Sequence, residues 1–146
     1  MQDNANISFS FEENDVLIKI SQLEKDKSIP FFVKNYFEII KKEFENNEKK
    51  SELLILIEIL IDFSWEMLNT NIWIFVDDVW RLIYGYAILY KTIILSRDLN
   101  YSKDELIKLC DLGLLMSGPL LQNKFNEVIR SMNNFESDIQ SEEPSK

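Results

Sequence analysis

The chain has 146 residues, with 25 acidic side chains against 16 basic ones, one cysteine and no histidine. Without imidazole it can build neither a Ser-His-Asp or Cys-His nucleophile pair nor a His-ligated zinc or two-histidine-one-carboxylate iron centre, and one thiol excludes internal disulfides and Cys-rich zinc clusters. A formal charge of -9 opposes direct binding to phosphate backbones, and 3 Gly with 3 Pro are too few for the special turns of sandwiches, barrels and Gly-rich phosphate loops.

Residues 1–14 are polar and read as a flexible N-terminus. Val16, Leu17, Ile20 and Leu23 are helically spaced and predict a short amphipathic helix over 15–25. Ser28 and Pro30 give a helix start, because a proline in the first turn loses no hydrogen bond. The helix over 31–45 is expected to bury Phe32, Tyr36, Ile39, Ile40 and Phe44, and to end at Asn46-Asn47 in a left-handed cap. A long helix follows over 51–69. Its only strongly polar positions are Glu52, Glu58, Asp62, Glu66 and Asn69, and the last four recur at intervals of four, four and three, forming one narrow stripe.

After a connection over 69–75, a helix is predicted over 77–96. Asp77 and Asp78 suit its positive N-terminal end, and it is apolar on nearly every side, which places it at the centre of the fold. Ser102-Lys103-Asp104-Glu105 has the Ser-x-x-Glu form of a capping box. The helix it opens directs Leu106, Ile107, Leu109, Cys110 and Leu114 inward, with Asp104, Lys108 and Asp111 outward. Gly118-Pro119 breaks the chain, a last helix runs over 120–135 through Leu121, Phe125, Val128, Ile129 and Met132, and 136–146 reads as an acidic disordered tail or linker. The expected fold is therefore all-α: one domain over 15–135, with about six antiparallel helices joined by short connections.

Two apolar stretches fall short of the roughly 20 residues a membrane span needs. Residues 53–68 are interrupted by Glu58, Asp62 and Glu66, and 79–95 by Arg81 and Lys91. With no basic and apolar leader at the N-terminus, the reading is a soluble intracellular protein without a membrane partner.

Glu58, Asp62 and Glu66 could hold a hard cation or act in acid–base chemistry. With no histidine from a facing helix, a solvated face is the stronger reading, since like charges at i,i+4 cost only a few tenths of a kcal/mol in water. Cys110 lies on an apolar face and has no base to activate it, so it reads as a small hydrophobe. Trp65, Trp73 and Trp80, with Tyr84, Tyr86 and Tyr90, supply core or interface area. Trp73 is singled out as an anchor because it falls in a connection. Gly85, in line with Thr92 and Ser96, predicts close approach of a neighbouring helix. Arg81 is expected to pair with a carboxylate such as Asp77 or to face solvent. Trp80-x-x-Ile83-Tyr84-x-x-Ala87 retains part of a tetratricopeptide first helix, but the helix starts have no constant 34-residue period, so any such hairpin array is degenerate.

Two blocks carry a family resemblance: Asp62-Phe63-Ser64-Trp65-Glu66-Met67-Leu68-Asn69-Thr70 and Cys110-Asp111-Leu112-Gly113-Leu114-Leu115-Met116. With Trp73, Val76-Asp77, Trp80-Arg81 and Tyr84 between them, residues 50–120 resemble the N-terminal helical, tetratricopeptide-like domain of the Jumonji-C oxygenases described as protein-arginine hydroxylases and lysine-specific histone demethylases. In that family a double-stranded β-helix domain binds iron(II), through His-x-Asp and a distant His, and 2-oxoglutarate. This chain has no such motif, so no catalytic, cofactor or metal residue carries over, and for this chain the expectation is no enzyme. The resemblance implies a non-catalytic interaction domain that positions partners or substrates, in the nucleus or cytoplasm. The alternative is a stand-alone adaptor or a dimerisation or structural domain. Trp65, Leu68, Asn69, Trp80, Arg81, Tyr84, Cys110, Asp111 and Gly113 are expected to be structural signature residues. Trp73, Glu58, Asp62 and Glu66 form the expected interaction surface, for a protein partner of basic character.

Overall fold

A computed structural model describes residues 29–70, 78–97 and 101–142. The helix expected over 15–25, the terminus over 1–14 and the Trp73 connection lie outside the described residues. Within them the chain forms five α-helices: α1 (Phe31–Glu43), α2 (Lys50–Thr70), α3 (Asp78–Ser96), α4 (Lys103–Ser117) and α5 (Gln122–Glu142), with short 3-10 turns at Asn47–Lys49 and Gly118–Leu120. No strand occurs among the described residues. The fold is all-α, as the helical spacing requires.

Helix α3 is the centre. From Val79 to Leu95 every side chain is buried except Arg81 and Lys91, which are half-buried. A helix apolar on all sides must be surrounded to gain from burial, and here α2 and α4 make the most extensive contacts with it. Both run antiparallel to it. Glu58 of α2 meets Lys91 while Trp65 meets Tyr84, and at the other interface Gly85 lies against Ser117 while Thr92 meets Cys110. Helix α1 packs on α2 and α3 through an aromatic chain. Phe32 is edge-on to Phe63 at 5.1 Å, Phe63 packs on Trp80 at 5.5 Å, and Phe37 and Phe44 close on Tyr90 at 6.2 and 5.2 Å.

The buried face of α1 is rotated from the expected one. Val33, Phe37 and Ile40 are inside, whereas Ile39 is exposed and Phe32, Tyr36 and Phe44 are partly covered. Either stripe satisfies the 3.6 period, and the position of α3 selects the one that sets Phe37 against Tyr90. Asn46 also differs from expectation. It is extended (φ -89°), and its side-chain oxygen accepts from the Glu48 N–H at 3.0 Å, so it opens the 3-10 turn instead of closing α1 in a left-handed cap. Ser102 caps α4 as its motif predicts, accepting from the Glu105 N–H at 3.2 Å. Gly118 takes φ +62°, a region that favours glycine, and its N–H bonds the Leu114 carbonyl at the end of α4.

Helix α5 buries Leu121, Phe125, Val128 and Met132 and continues to Glu142, beyond the end expected at Phe135 and into the stretch expected to be disordered. No Gly or Pro stands between Leu120 and Pro144, so the backbone ladder meets no breaker there.

Close packing at two glycines fixes the spacing on the α4 side. A Cβ at Gly85 would stand 2.5 Å from Leu121 Cδ1 and 2.9 Å from Ser117 Cβ, which agrees with the close approach predicted there. At Gly113 a Cβ would stand 2.1 Å from Phe125 Cζ and 2.6 Å from its Cε1. The buried hydroxyls of Ser64, Thr92 and Ser117 donate to the carbonyls one turn back, at 2.7, 2.8 and 2.7 Å, so no polar group of theirs is left without a partner.

Candidate interaction surface

The carboxylate stripe of α2 divides when folded. Glu58 turns toward α3 and pairs with Lys91 at 2.5 Å, whereas Glu52, Asp62 and Glu66 face solvent. Glu52 pairs with Lys49 one turn back at 3.5 Å, a largely accessible pair of small energetic weight. Between Ser51 and Thr70 there is no basic residue. The outer side of α2 is therefore anionic along its length.

The same side is not only polar. Ile55 is 60% exposed, Ile59 39% and Trp65 45%. Sequence reading missed the two isoleucines by treating every apolar position of α2 as core. The overlooked signal is their spacing. Glu52, Ile55, Ile59, Asp62, Glu66 and Asn69 recur at three, four, three, four and three, so the isoleucines lie in line with the acids. Trp65 borders this strip and packs on Tyr84 at a ring separation of 6.0 Å. Burial raises the Tyr84 phenol above its ordinary pKa, and the charges of Glu58 and Asp62 raise it further. The phenol stays protonated beside the stripe at neutral pH.

The other signature residues are spread over the helix interfaces, Trp80 and Tyr84 between α2 and α3, Cys110 between α3 and α4, and Gly113 between α4 and α5. All four are buried, while Asn69 and Asp111 are exposed and Leu68 is partly covered. The Asn69 amide donates to the Trp65 carbonyl at 2.7 Å. The pairing of Arg81 with Asp77 falls on a residue outside the described ones, and among the described residues Arg81 is half-buried instead of facing solvent. Its guanidinium donates to the Met116 carbonyl at 3.2 Å, placing a cation on the last turn of α4, where carbonyls lack helical partners. Arg81→Met keeps the apolar stem and removes the donor. It is expected to cost about 1.5–3 kcal/mol in chemical denaturation, and a loss below a few tenths would show that the contact carries no stability.

Cys110 is fully buried, and its thiol pKa is pushed up to about 12 by burial and by Asp111, against a hydrogen bond with Thr92 that lowers it. Tyr90 is also pushed up to about 12 by burial. Both groups keep their protons in the folded state to a higher pH than in the unfolded chain, so stability is complete below the unfolded values near 9 and 10 and falls as pH rises from there to about 12. Melting temperature followed from pH 8 to 11 should decline, with a shallower decline for Cys110→Ala. A disulfide reagent at neutral pH should leave Cys110 unmodified until denaturant is added.

The cavity bounded by Phe44, Asn46, Asn47, Lys50, Leu53, Ile94 and Arg97 has about 10 Å³, room for one water and no small-molecule ligand. Among the described residues no group of three or more Asp, Glu or Cys side chains is placed to hold a metal ion, and no helix is long and apolar enough to cross a membrane. Phe31 and Leu115 are each 76% exposed on α1 and α4, but the outer side of α2 is where exposed apolar side chains and carboxylates lie in one line.

Comparison with known proteins now decides the family. Residues 51–146 match the family model described as KDM8-like, N-terminal ARM repeats, a match that opens at the second residue of α2 and takes in α3, α4 and α5. The chain belongs to this family. It is 38% identical over 72 residues to lysine-specific demethylase 8 of Xenopus tropicalis, covering 49% of this chain and 16% of that protein. To lysine-specific demethylase 8 of Danio rerio it is 34% identical over 80 residues, covering 53% of this chain and 20% of that protein. The chain thus spans a fifth or less of the length of these curated relatives. No solved structure matches with comparable significance.

The family places the chain with the N-terminal region of a Jumonji-C demethylase, as the two signature blocks implied. Its repeat type is ARM where the resemblance implied a tetratricopeptide-like unit. ARM repeats are about 40 residues or longer, built from two or three helices, which fits the lack of a 34-residue period. An iron(II) and 2-oxoglutarate site does not fit this chain. The Jumonji-C ligand set needs two histidines, the sequence has none, and the described carboxylates do not converge.

Proposed function

We propose that this chain is a non-catalytic protein-interaction module that holds partners or substrates for an oxygenase of the demethylase 8 type. The observation that carries this reading is the outer side of α2, where carboxylates and exposed apolar side chains share one face on a repeat-family scaffold. Stacked helical repeats form extended surfaces of this kind and use them for binding. With Glu58 paired to Lys91, Asp62 and Glu66 give the face its sign, so the partner is a basic protein, steered by charge and held by contacts to apolar anchors. A nuclear or cytoplasmic location belongs to the same proposal. The acidic excess argues against direct contact with nucleic acid.

Capture from nuclear extract with the whole chain as bait tests it. Basic proteins should be retained at low salt, released as salt rises, and reduced by the double substitution Asp62→Lys with Glu66→Lys. Retention no greater than on an unrelated acidic helical protein of equal charge would overturn the reading.

A further inference from the structure

We infer that the outer side of α2 is a docking seam for a single basic, amphipathic α-helix of a partner protein. This rests on the interaction reading above and assigns it a partner class.

Three observations converge. First, Glu52, Ile55, Ile59, Asp62, Glu66 and Asn69 follow the alternating three- and four-residue spacing along which one helix lies against another at a shallow angle. From Glu52 to Glu66 this line is about 21 Å long at 1.5 Å per residue, which a partner helix of four turns would cover. An extended peptide would match a period of two instead. Second, the line holds Ile55 and Ile59 one turn apart, 60% and 39% exposed, with the 45% exposed Trp65 at its border, whereas Leu53, Ile57, Leu60 and Ile61 on the opposite side are buried. Third, the line holds Glu52, Asp62 and Glu66 and no Lys or Arg, and the contact of Glu52 with Lys49 before it is a largely accessible pair of small weight. The complement is a helix with an apolar pair at its centre and Lys or Arg on either side.

Charge also argues against a second copy of the chain as the occupant. A two-fold antiparallel pairing that sets Ile55 against Ile59 would set Glu52 against Asp62, and a parallel pairing would set each acid against itself. Like charges so placed repel. An anionic lipid surface is disfavoured on the same ground.

The test is a fluorescence-anisotropy titration of the full chain against a labelled synthetic peptide of about 20 residues, long enough to form a helix on binding. It carries leucines at three-four spacing flanked by Lys and Arg, and its control is a scrambled peptide of identical composition. The patterned peptide should bind at least about tenfold more tightly than the scramble, and the double substitution Ile55→Asp with Ile59→Asp should remove about tenfold or more of that affinity. Both positions are exposed, so the circular-dichroism melt of that variant should match that of the unsubstituted chain. Equal binding of patterned and scrambled peptides, or binding untouched by the double substitution, would overturn the seam. Self-association in light scattering that Ile55→Asp with Ile59→Asp abolishes would also overturn it, in favour of a second copy. If the patterned peptide fails while the chain still captures basic proteins sensitive to Asp62→Lys with Glu66→Lys, the seam falls and the interaction module stands. If both fail, both fall.

Discussion

Gly113→Ala should destabilise the fold, although alanine is the better helix former. In a helix the substitution alone favours the folded state by about 1 kcal/mol. At this position the added Cβ would overlap the tip of the Phe125 ring, three of whose atoms lie within 3.0 Å of it, and Phe125 is itself fully buried. The ring is a rigid plate in a close-packed interior and has no free rotamer to retreat into. Overpacking of this kind costs about 1–3 kcal/mol, occasionally more, so the net loss should lie at the upper end or beyond once α4 is pushed from α5. The expected readout is a lowered urea midpoint with an unchanged m-value. The control is Phe125→Leu, which opens space under Gly113. Combined with Gly113→Ala it should cost less than the sum of the single losses, a coupling visible in a double-mutant cycle. Strict additivity, or a stabilised Gly113→Ala, would show that α4 and α5 are not in the contact described. Because Gly113 belongs to the second signature block, the result also bears on why that block has its form.

Arg97→Met should be the second large effect. Arg97 follows α3, and its guanidinium donates to the Phe44 carbonyl at 2.8 Å while its carbon lies 4.5 Å from the centre of the Phe44 ring. It also reaches Glu45 at 3.7 Å, but that carboxylate is almost fully exposed and adds little. The hydrogen bond from a charged donor contributes about 1.5–3 kcal/mol and the ring contact about 0.5–2 kcal/mol. Arg97→Met should therefore cost about 2–4 kcal/mol, measured by chemical denaturation. Arg97→Lys keeps the charge but not the planar fork and should recover only part of the loss. A full recovery by lysine would assign the effect to charge alone. In native-state hydrogen exchange, the Arg97→Met loss should show first in α1, which this clamp ties to the end of α3.

The helices were legible because each depends on local pattern. Ser102 with Glu105, the Gly118-Pro119 break and the three-four apolar spacing act within a few residues of themselves. The central position of α3 was legible too, since a helix without a polar face has no other place to go. Gly85 announced a close neighbour, although not that the neighbour would be Ser117 and Leu121. The acidic stripe was visible as a pattern, but its division was not. Whether Glu58 faces solvent or Lys91 depends on the register of α2 against α3, 33 residues away in the chain. The same register leaves Ile55 and Ile59 outside. Helix α2 has more apolar surface than α1 and α3 can cover, and no count of residues shows which part is left over.

Arg97 shows the limit most plainly. In the sequence it is one cation at a helix end, and Arg81 is one cation near a helix start. Each becomes specific only where the fold brings a carbonyl from a distant helix end within reach, Phe44 for one and Met116 for the other. The sequence by itself determined that the chain is all-α, that α3 lies at the centre, and that no histidine-dependent chemistry resides in it, because composition and short-range periodicity decide those things. Only the tertiary structure decided which apolar residues remain exposed, that Glu58 pairs with Lys91 and which side of α2 is left uncovered. Those depend on how helices far apart in sequence share a limited buried surface.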